Sequence, residues 1–292
     1  VGSEMCIRDR PGETLHINQA QKEFGGGKGA NQAIAASRLA ADTTFISKIG
    51  KDGNANFILE DFKKAGIHTQ YILTSESEET GQAFITVDEA GQNTILVYGG
   101  ANMTLSATDV EMSAEAFIGA DFVVAQLEVP FEAIEQAFKI ARKQNITTVL
   151  NPAPAIELPK SLLELTDIII PNETEAELLT GISINNESDM KETATYFLNL
   201  GISAVLITLG EQGTYCAYQE QYKIIPACNV KAVDTTAAGD TFIGAFLSEL
   251  NKDLSNLESA IRLANQASSL TVQRKGAQVS IPTRKEVEAE YN

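Results

Sequence analysis

Tryptophan is absent from the 292-residue sequence, and histidine and cysteine occur only two and three times. His16 and His68, with Cys6, Cys216 and Cys228, are too few and too scattered for a zinc site or a disulfide framework, and so little cysteine fits a reducing cytoplasm. So little histidine also means that an enzymatic general base is expected to be a carboxylate. Positive charge is scarce too: 22 Lys and Arg stand against 39 Asp and Glu, a formal net charge of −17. That balance argues against a sequence-independent grip on nucleic acid or on an anionic bilayer. No apolar run approaches the roughly 18 to 20 residues that a membrane helix needs. What the chain does have is 43% hydrophobic and 21% charged residues, near globular averages, over a length suited to one large or two modest domains.

From Thr43 onward, short β-rich runs alternate with longer amphipathic stretches, the signature of βαβ units on a mostly parallel sheet. Strands are expected at Thr44–Ile49, Phe122–Gln126, Thr147–Leu150, Asp167–Ile170 and Ala204–Thr208. Helices are expected at Asn54–Ala65, Phe131–Gln144, Glu173–Thr180, Ser188–Leu200, Gly239–Leu250 and Leu257–Arg274. Gln82–Asp88 and Thr94–Tyr98, joined by the turn-prone EAGQN, read as an antiparallel hairpin, either a small sheet standing off the main domain or an edge of it. Val1 to Arg10, VGSEMCIRDR, has neither a strand nor a helix period and no signal-peptide layout. These ten residues are expected to be extraneous to the fold and to contribute no strand.

Three segments can carry chemistry. Gly25-Gly26-Gly27-Lys28-Gly29-Ala30-Asn31 leads into a helical stretch predicted at Gln32–Leu39; it is neither a Walker A loop nor GxGxxG, and reads either as a flexible helix-capping turn or as a close backbone approach to an oxygen-rich ligand. In Ala232–Phe242, Ala237, Ala238 and Gly239 expose amides at a helix start, with Asp240 in the first turn, as a plain cap or as a base beside an anion hole. Thr208–Gly213 is a glycine turn at a strand end, which serves a hairpin or a ligand at the carboxyl edge of a sheet. Asn172-Glu173-Thr174-Glu175 has the same double reading, a capping arrangement or carboxylates for hydrated Mg²⁺.

Taken in order, GGKGAN (26–31), NPAPA (151–155), PNETEAE (171–177), TLGEQG (208–213), DTTAAGD (234–240) and RKGAQ (274–278) resemble the PfkB-type carbohydrate kinases, in their ribokinase branch. The resemblance implies a ribokinase-like three-layer α/β sandwich with a mostly parallel central sheet. The core would comprise 26–80 and 102–292, a β lid 11–25 and 81–101, and the extraneous stretch 1–10. It implies ATP-dependent phosphorylation of D-ribose at the 5-hydroxyl, with Asp240 as base and the amides of Ala237, Ala238 and Gly239 as anion hole. Gly27, Lys28, Gly29, Ala30, Asn31 and Glu128 would join Asp240 in binding the sugar. Asn172, Thr208, Leu209, Gly210, Glu211, Gln212 and Gly213, with Gly239, Asp240 and Asn265, would bind ATP. Glu175 would act on Mg²⁺ through water, and Asp234, Thr236, Thr271, Arg274, Gly276 and Ser280 would hold an activating K⁺. The lid would close over the sugar and pair with a second subunit in a cytoplasmic homodimer.

The sequence departs from this pattern before Pro11-Gly12-Glu13-Thr14, where the Asn-x-Asp segment that binds ribose hydroxyls is missing. One sugar carboxylate is then lacking, and weak or absent turnover is expected. Ala237 also stands where the wider family commonly has glycine. Kinases of deoxyribose, fructose or adenosine, or a module that only binds nucleotide or sugar, are the alternatives.

Overall fold

The computed structural model describes residues 2–5, 25–87 and 93–291. The chain passes through strand β1 (Gly2–Met5) and helix α1 (Lys28–Arg38) into β2 (Ser47–Ile49), α2 (Gly53–Ala65) and β3 (Ile72–Thr74). The hairpin β4 (Gln82–Val87) and β5 (Asn93–Tyr98) follows, then α3 (Ala107–Met112), β6 (Phe122–Ala125), α4 (Phe131–Lys143), β7 (Thr147–Leu150), α5 (Lys160–Glu164) and β8 (Ile168–Ile169). Next come α6 (Glu173–Thr180), α7 (Glu187–Asn199), β9 (Ala204–Thr208), β10 (Thr214–Tyr218) and β11 (Gln221–Ile225). Helices α8 (Ala238–Glu249), α9 (Leu257–Thr271) and α10 (Arg284–Tyr291) close the chain.

Strands β6 to β9 are parallel neighbours, and β10 and β11 extend the sheet antiparallel, giving the order β11-β10-β9-β8-β7-β6. Alternate side chains point to opposite faces. Val149, Ile168, Leu206 and Cys216 pack with Phe242, Phe246, Ile261 and Ala264 of α8 and α9. Leu150, Ile169, Val205, Ile207 and Tyr215 pack instead with Phe138 of α4, Leu162 of α5 and Phe197 of α7. Strands buried on both faces explain the continuous apolar runs in the sequence. Helix α1 lies against α8 at Gly244, where a Cβ would come within 2.5 Å of Ala35 Cβ and 2.7 Å of the Gln32 carbonyl oxygen.

The hairpin forms a separate sheet in the order β1-β4-β5, with β1 parallel to β4. The expectation of no strand within residues 1–10 is therefore corrected. An open strand edge recruits backbone through its free N–H and C=O groups whatever side chains that backbone carries. The lid segment expected at 11–25 lies outside the described residues except at Gly25. At the root of the lid, Ala101 N–H donates to the Glu79 carbonyl at 2.7 Å, and a Cβ on Gly81 would lie 2.8 Å from the Gly99 oxygen. Asp52 ties this crossing to the core, accepting from the Thr80 amide at 2.6 Å and its hydroxyl at 3.0 Å. Helix α9 stops at Thr271 rather than Arg274, because the next carbonyl, of Val272, turns to accept from the amides of Val233 and Asp234.

Candidate active site

The carboxyl ends of β6 to β9 deliver Gln126, Glu128, Asn151, Asn172 and Thr208 to one edge, which meets the N-termini of α1 and α8. Ala237, in the left-handed conformation at φ 60°, caps α8 and sets Asp240 in its first turn. Asp240 is 9% exposed. Its Oδ2 accepts from Asn31 Nδ2 at 2.8 Å and its Oδ1 from Gln32 Nε2 at 3.0 Å. Burial raises the Asp240 carboxyl above its ordinary value, against the lowering pull of Lys28 and these two amides. A raised carboxylate suits proton abstraction near neutral pH.

The expected loop Gly27–Asn31 is instead the first turn of α1, which begins at Lys28. Gly27, at φ 93°, supplies the cap, and Asn31 N–H closes the first helical bond onto the Gly27 carbonyl at 2.8 Å. The Lys28 amide donates to Glu128 Oε2 at 2.8 Å, setting a carboxylate against a helix N-terminus. Burial raises the Glu128 carboxyl, opposed by that hydrogen bond and the Lys28 charge. Asn31 Oδ1 is buried with no partner among the described residues. An orphaned acceptor beside a buried carboxylate is a place for a hydroxyl donor.

On the other flank, Asn172 and Glu175 form a reciprocal capping box at the start of α6, with contacts of 2.8 and 2.9 Å. Glu175 is nonetheless buried. Burial raises its carboxyl, against the lowering pull of the Asn172 amide and the Lys28 charge and with the Asp240 charge adding to the rise. Asn172 bridges to Thr208 across the strand ends. The turn Gly210–Gln212 is exposed, whereas the Leu209 side chain belongs to the core, so only its backbone is available to a ligand. Gly213, at φ 105°, is pressed against the backbone of Ile225 to Ala227. Asn265 uses both N–H groups on the carbonyls of Ile225 and Pro226 and accepts from Thr214 Oγ1, so it pins this turn and has no free donor. Of the three amides expected to form an anion hole, that of Ala238 donates to the Thr235 carbonyl at 3.2 Å, which leaves those of Ala237 and Gly239 without a backbone partner among the described residues.

Behind this loop, Asp234 accepts from the amides of Thr236 at 2.9 Å and Gly276 at 2.8 Å. Burial would raise the Asp234 carboxyl, but these hydrogen bonds outweigh it and hold it below its ordinary value. Thr271 Oγ1 donates to Thr241 Oγ1 at 3.0 Å, and Ser280 is fully buried. The Arg274 guanidinium reaches Glu286 at 2.8 Å and the Ser280 carbonyl at 3.5 Å. Arg38 of α1 donates to the carbonyls of Gln278 and Ile281, joining this cluster to the helix that bears Asn31. The residues named for the monovalent cation thus share one hydrogen-bonded neighbourhood.

Gln32, Gln126 and Asn151 were not anticipated as site residues. A signal was present: Gln32 is a polar residue flanked by the buried Ala33, Ile34 and Ala35 on α1.

Residues 3–284 match the profile of the pfkB family carbohydrate kinase. A ribokinase of Staphylococcus aureus is 64% identical over 278 residues, 95% of this chain and 91% of that protein. A deoxyribokinase of Salmonella typhi is 36% identical, with 94% and 89% covered. The solved structure of Arabidopsis thaliana ribokinase complexed with ribose and ATP superposes with a TM-score of 0.89 at 32% identity, over 99% of this chain and 94% of that one. The architecture is the ribokinase-like α/β fold. No helix among the described residues is long and apolar enough to cross a membrane.

Proposed function

The chain belongs to the PfkB family of carbohydrate kinases, and from that premise we propose that it is a ribokinase, transferring the γ-phosphoryl group of ATP to the 5-hydroxyl of D-ribose. The observation that carries this reading is the buried Asp240 carboxylate in the first turn of α8, held beside Asn31, whose Oδ1 has no partner among the described residues. Asp240 takes the hydroxyl proton as the sugar oxygen attacks the γ-phosphorus. The amides of Ala237 and Gly239, at the positive end of α8, face the charge on the transferred group. Such transfer is mostly positioning and charge stabilisation, which a preformed helix terminus supplies. Asn31, Glu128 and the first turn of α1 bind the remaining sugar hydroxyls, and Asn172 with the 208–213 turn binds the nucleotide.

Two cations fit the donor sets present. Glu175 keeps one oxygen in its capping box, and its buried carboxylate would act through water on Mg²⁺, which would neutralise charge on the ATP phosphates. The oxygens of Asp234, Thr236, Thr271, Arg274, Gly276 and Ser280, several of them backbone carbonyls, are hard donors that would suit K⁺, and a cation held there would stiffen the 234–240 loop from behind. The lid exposes Leu96 and Val97 at 60% and 66%, apolar surface suited to a second copy of the chain, and Cys216 and Cys228 are free thiols in keeping with a cytoplasmic protein.

Coupled ATP consumption with ribose, deoxyribose, fructose and adenosine, with and without K⁺, tests the reading. Ribose is expected to give the highest kcat/KM; preference for deoxyribose would place the chain with its deoxyribokinase relatives. Asp240→Asn should abolish turnover and leave ATP affinity nearly intact, and a retained kcat would refute the base assignment.

A further inference from the structure

The carboxylate of Asp240 is oriented by an amide whose own direction is fixed from elsewhere in the sheet. The chain of hydrogen bonds starts at Ile170, beside the end of β8, whose backbone carbonyl can only accept. Asn151 Nδ2 donates to it at 2.9 Å, so the Asn151 oxygen faces Gln32. Gln32 Nε2 donates to that oxygen at 3.0 Å and to Asp240 Oδ1 at 3.0 Å, which uses both of its N–H groups. Gln32 Oε1 accepts from Gln126 Nε2 beside the end of β6. A flipped Gln32 amide would set an oxygen against two acceptors at once. Gln32 and Asn151 are 2% and 7% exposed, so solvent offers little to compensate such a flip.

The two amides on Asp240 differ in one respect. Each polar atom of the Gln32 amide has a protein partner, whereas Asn31 keeps a buried oxygen without a partner among the described residues, so the Asn31 side is the one open to a ligand. We propose that Gln32 is the positioning residue for the catalytic base: Asn151 sets the direction of the Gln32 amide, and Gln32 pins Oδ1 inward so that Oδ2 meets the sugar hydroxyl. The proposal rests on the reading of Asp240 as general base. Gln32 acts through Asp240 and touches no substrate.

Gln32→Met, of similar length and without donors, tests it beside Asn151→Ala, their double variant and Asp240→Asn, with melting temperature as a check on folding. Gln32→Met is expected to lower kcat by roughly 10²-fold, the scale of a small misplacement of a reacting group, with KM for ribose unchanged. Asn151→Ala should lower kcat less, and should add nothing in the Gln32→Met background, because it acts through the same amide. A parent-like kcat in Gln32→Met, a loss confined to KM, or losses that multiply would each overturn the proposal. Activity retained by Asp240→Asn would instead sink the base reading itself. If Gln32→Met does not fold, Asn151→Ala and Gln126→Met decide the matter, since each releases Gln32 from one side; parent-like kcat in both counts against it. Carbon-13 titration of the Asp240 carboxyl needs no turnover. With Lys28, Glu128 and Glu175 unchanged around it, loss of the Gln32 donor should move the midpoint upward, and an unmoved midpoint overturns the proposal.

Discussion

The two flanks of the site are built by different means. On the sugar flank, Asp240 is held by side chains 208 and 209 positions away in sequence, on a helix brought close by a single glycine. On the nucleotide flank, Asn172 and Glu175 hold each other across three residues, and the glycines of the 208–213 turn give it its bend, with Asn265 pinning it from behind. The first flank depends on tertiary packing and the second mainly on local chemistry. Perturbing the packing should therefore strike the catalytic step, whereas perturbing the local motifs should strike nucleotide affinity and helix stability.

The contrast can be broken most forcefully through protons. Because burial raises the Asp240 carboxyl, the acid limb of the kcat/KM profile for ribose should lie above the ordinary aspartate range: below that pH Asp240 is protonated and turnover vanishes. An acid limb at the ordinary aspartate value would count against a buried base. Gly244→Ala should come next, since its methyl would lie 2.6 Å from the Ala36 amide nitrogen. Pushing α1 away from α8 is expected to cost about 1 to 3 kcal/mol in denaturant unfolding and to reduce kcat more than the KM for ATP. Asn172→Ala removes a helix cap worth about 1 kcal/mol and should raise the KM for ATP with little change in KM for ribose. A shift in ribose KM alone would erase the distinction between the flanks. Ala237→Gly is the mildest change: relief of the left-handed alanine offsets the added freedom of the unfolded chain, and the free energy of unfolding should move by less than about 1 kcal/mol in a denaturant titration.

The same division explains what could be read from the sequence. Thr147–Leu150, Ala204–Thr208 and Glu173–Thr180 have the bounds that their residues suggest, because buried parallel strands are plain apolar runs and α6 begins with a capping box. Helix α1 starts at Lys28 rather than Gln32 because the cap Gly27 and Gly29 in the first turn imitate a loop in sequence, although Gly27 with its positive φ is a legitimate cap. Leu209 sits among turn residues in the sequence, yet continuing the alternation of β9 buries its side chain. Asp240, Asn31 and Glu128 were legible as members of a recognisable pattern. Gln32, Gln126 and Asn151 were not, because an amide's purpose lies in its partner, and Gln32 and Asn151 are 119 positions apart.

The crossing at the root of the lid has a mechanical meaning. Residues 79–81 and 99–101 are in backbone contact, and Asp52 fastens one of them to the start of α2. The two arms of the hairpin therefore leave the core through one shared anchorage, so that a substitution at Asp52 or Thr80 would loosen both strands at once.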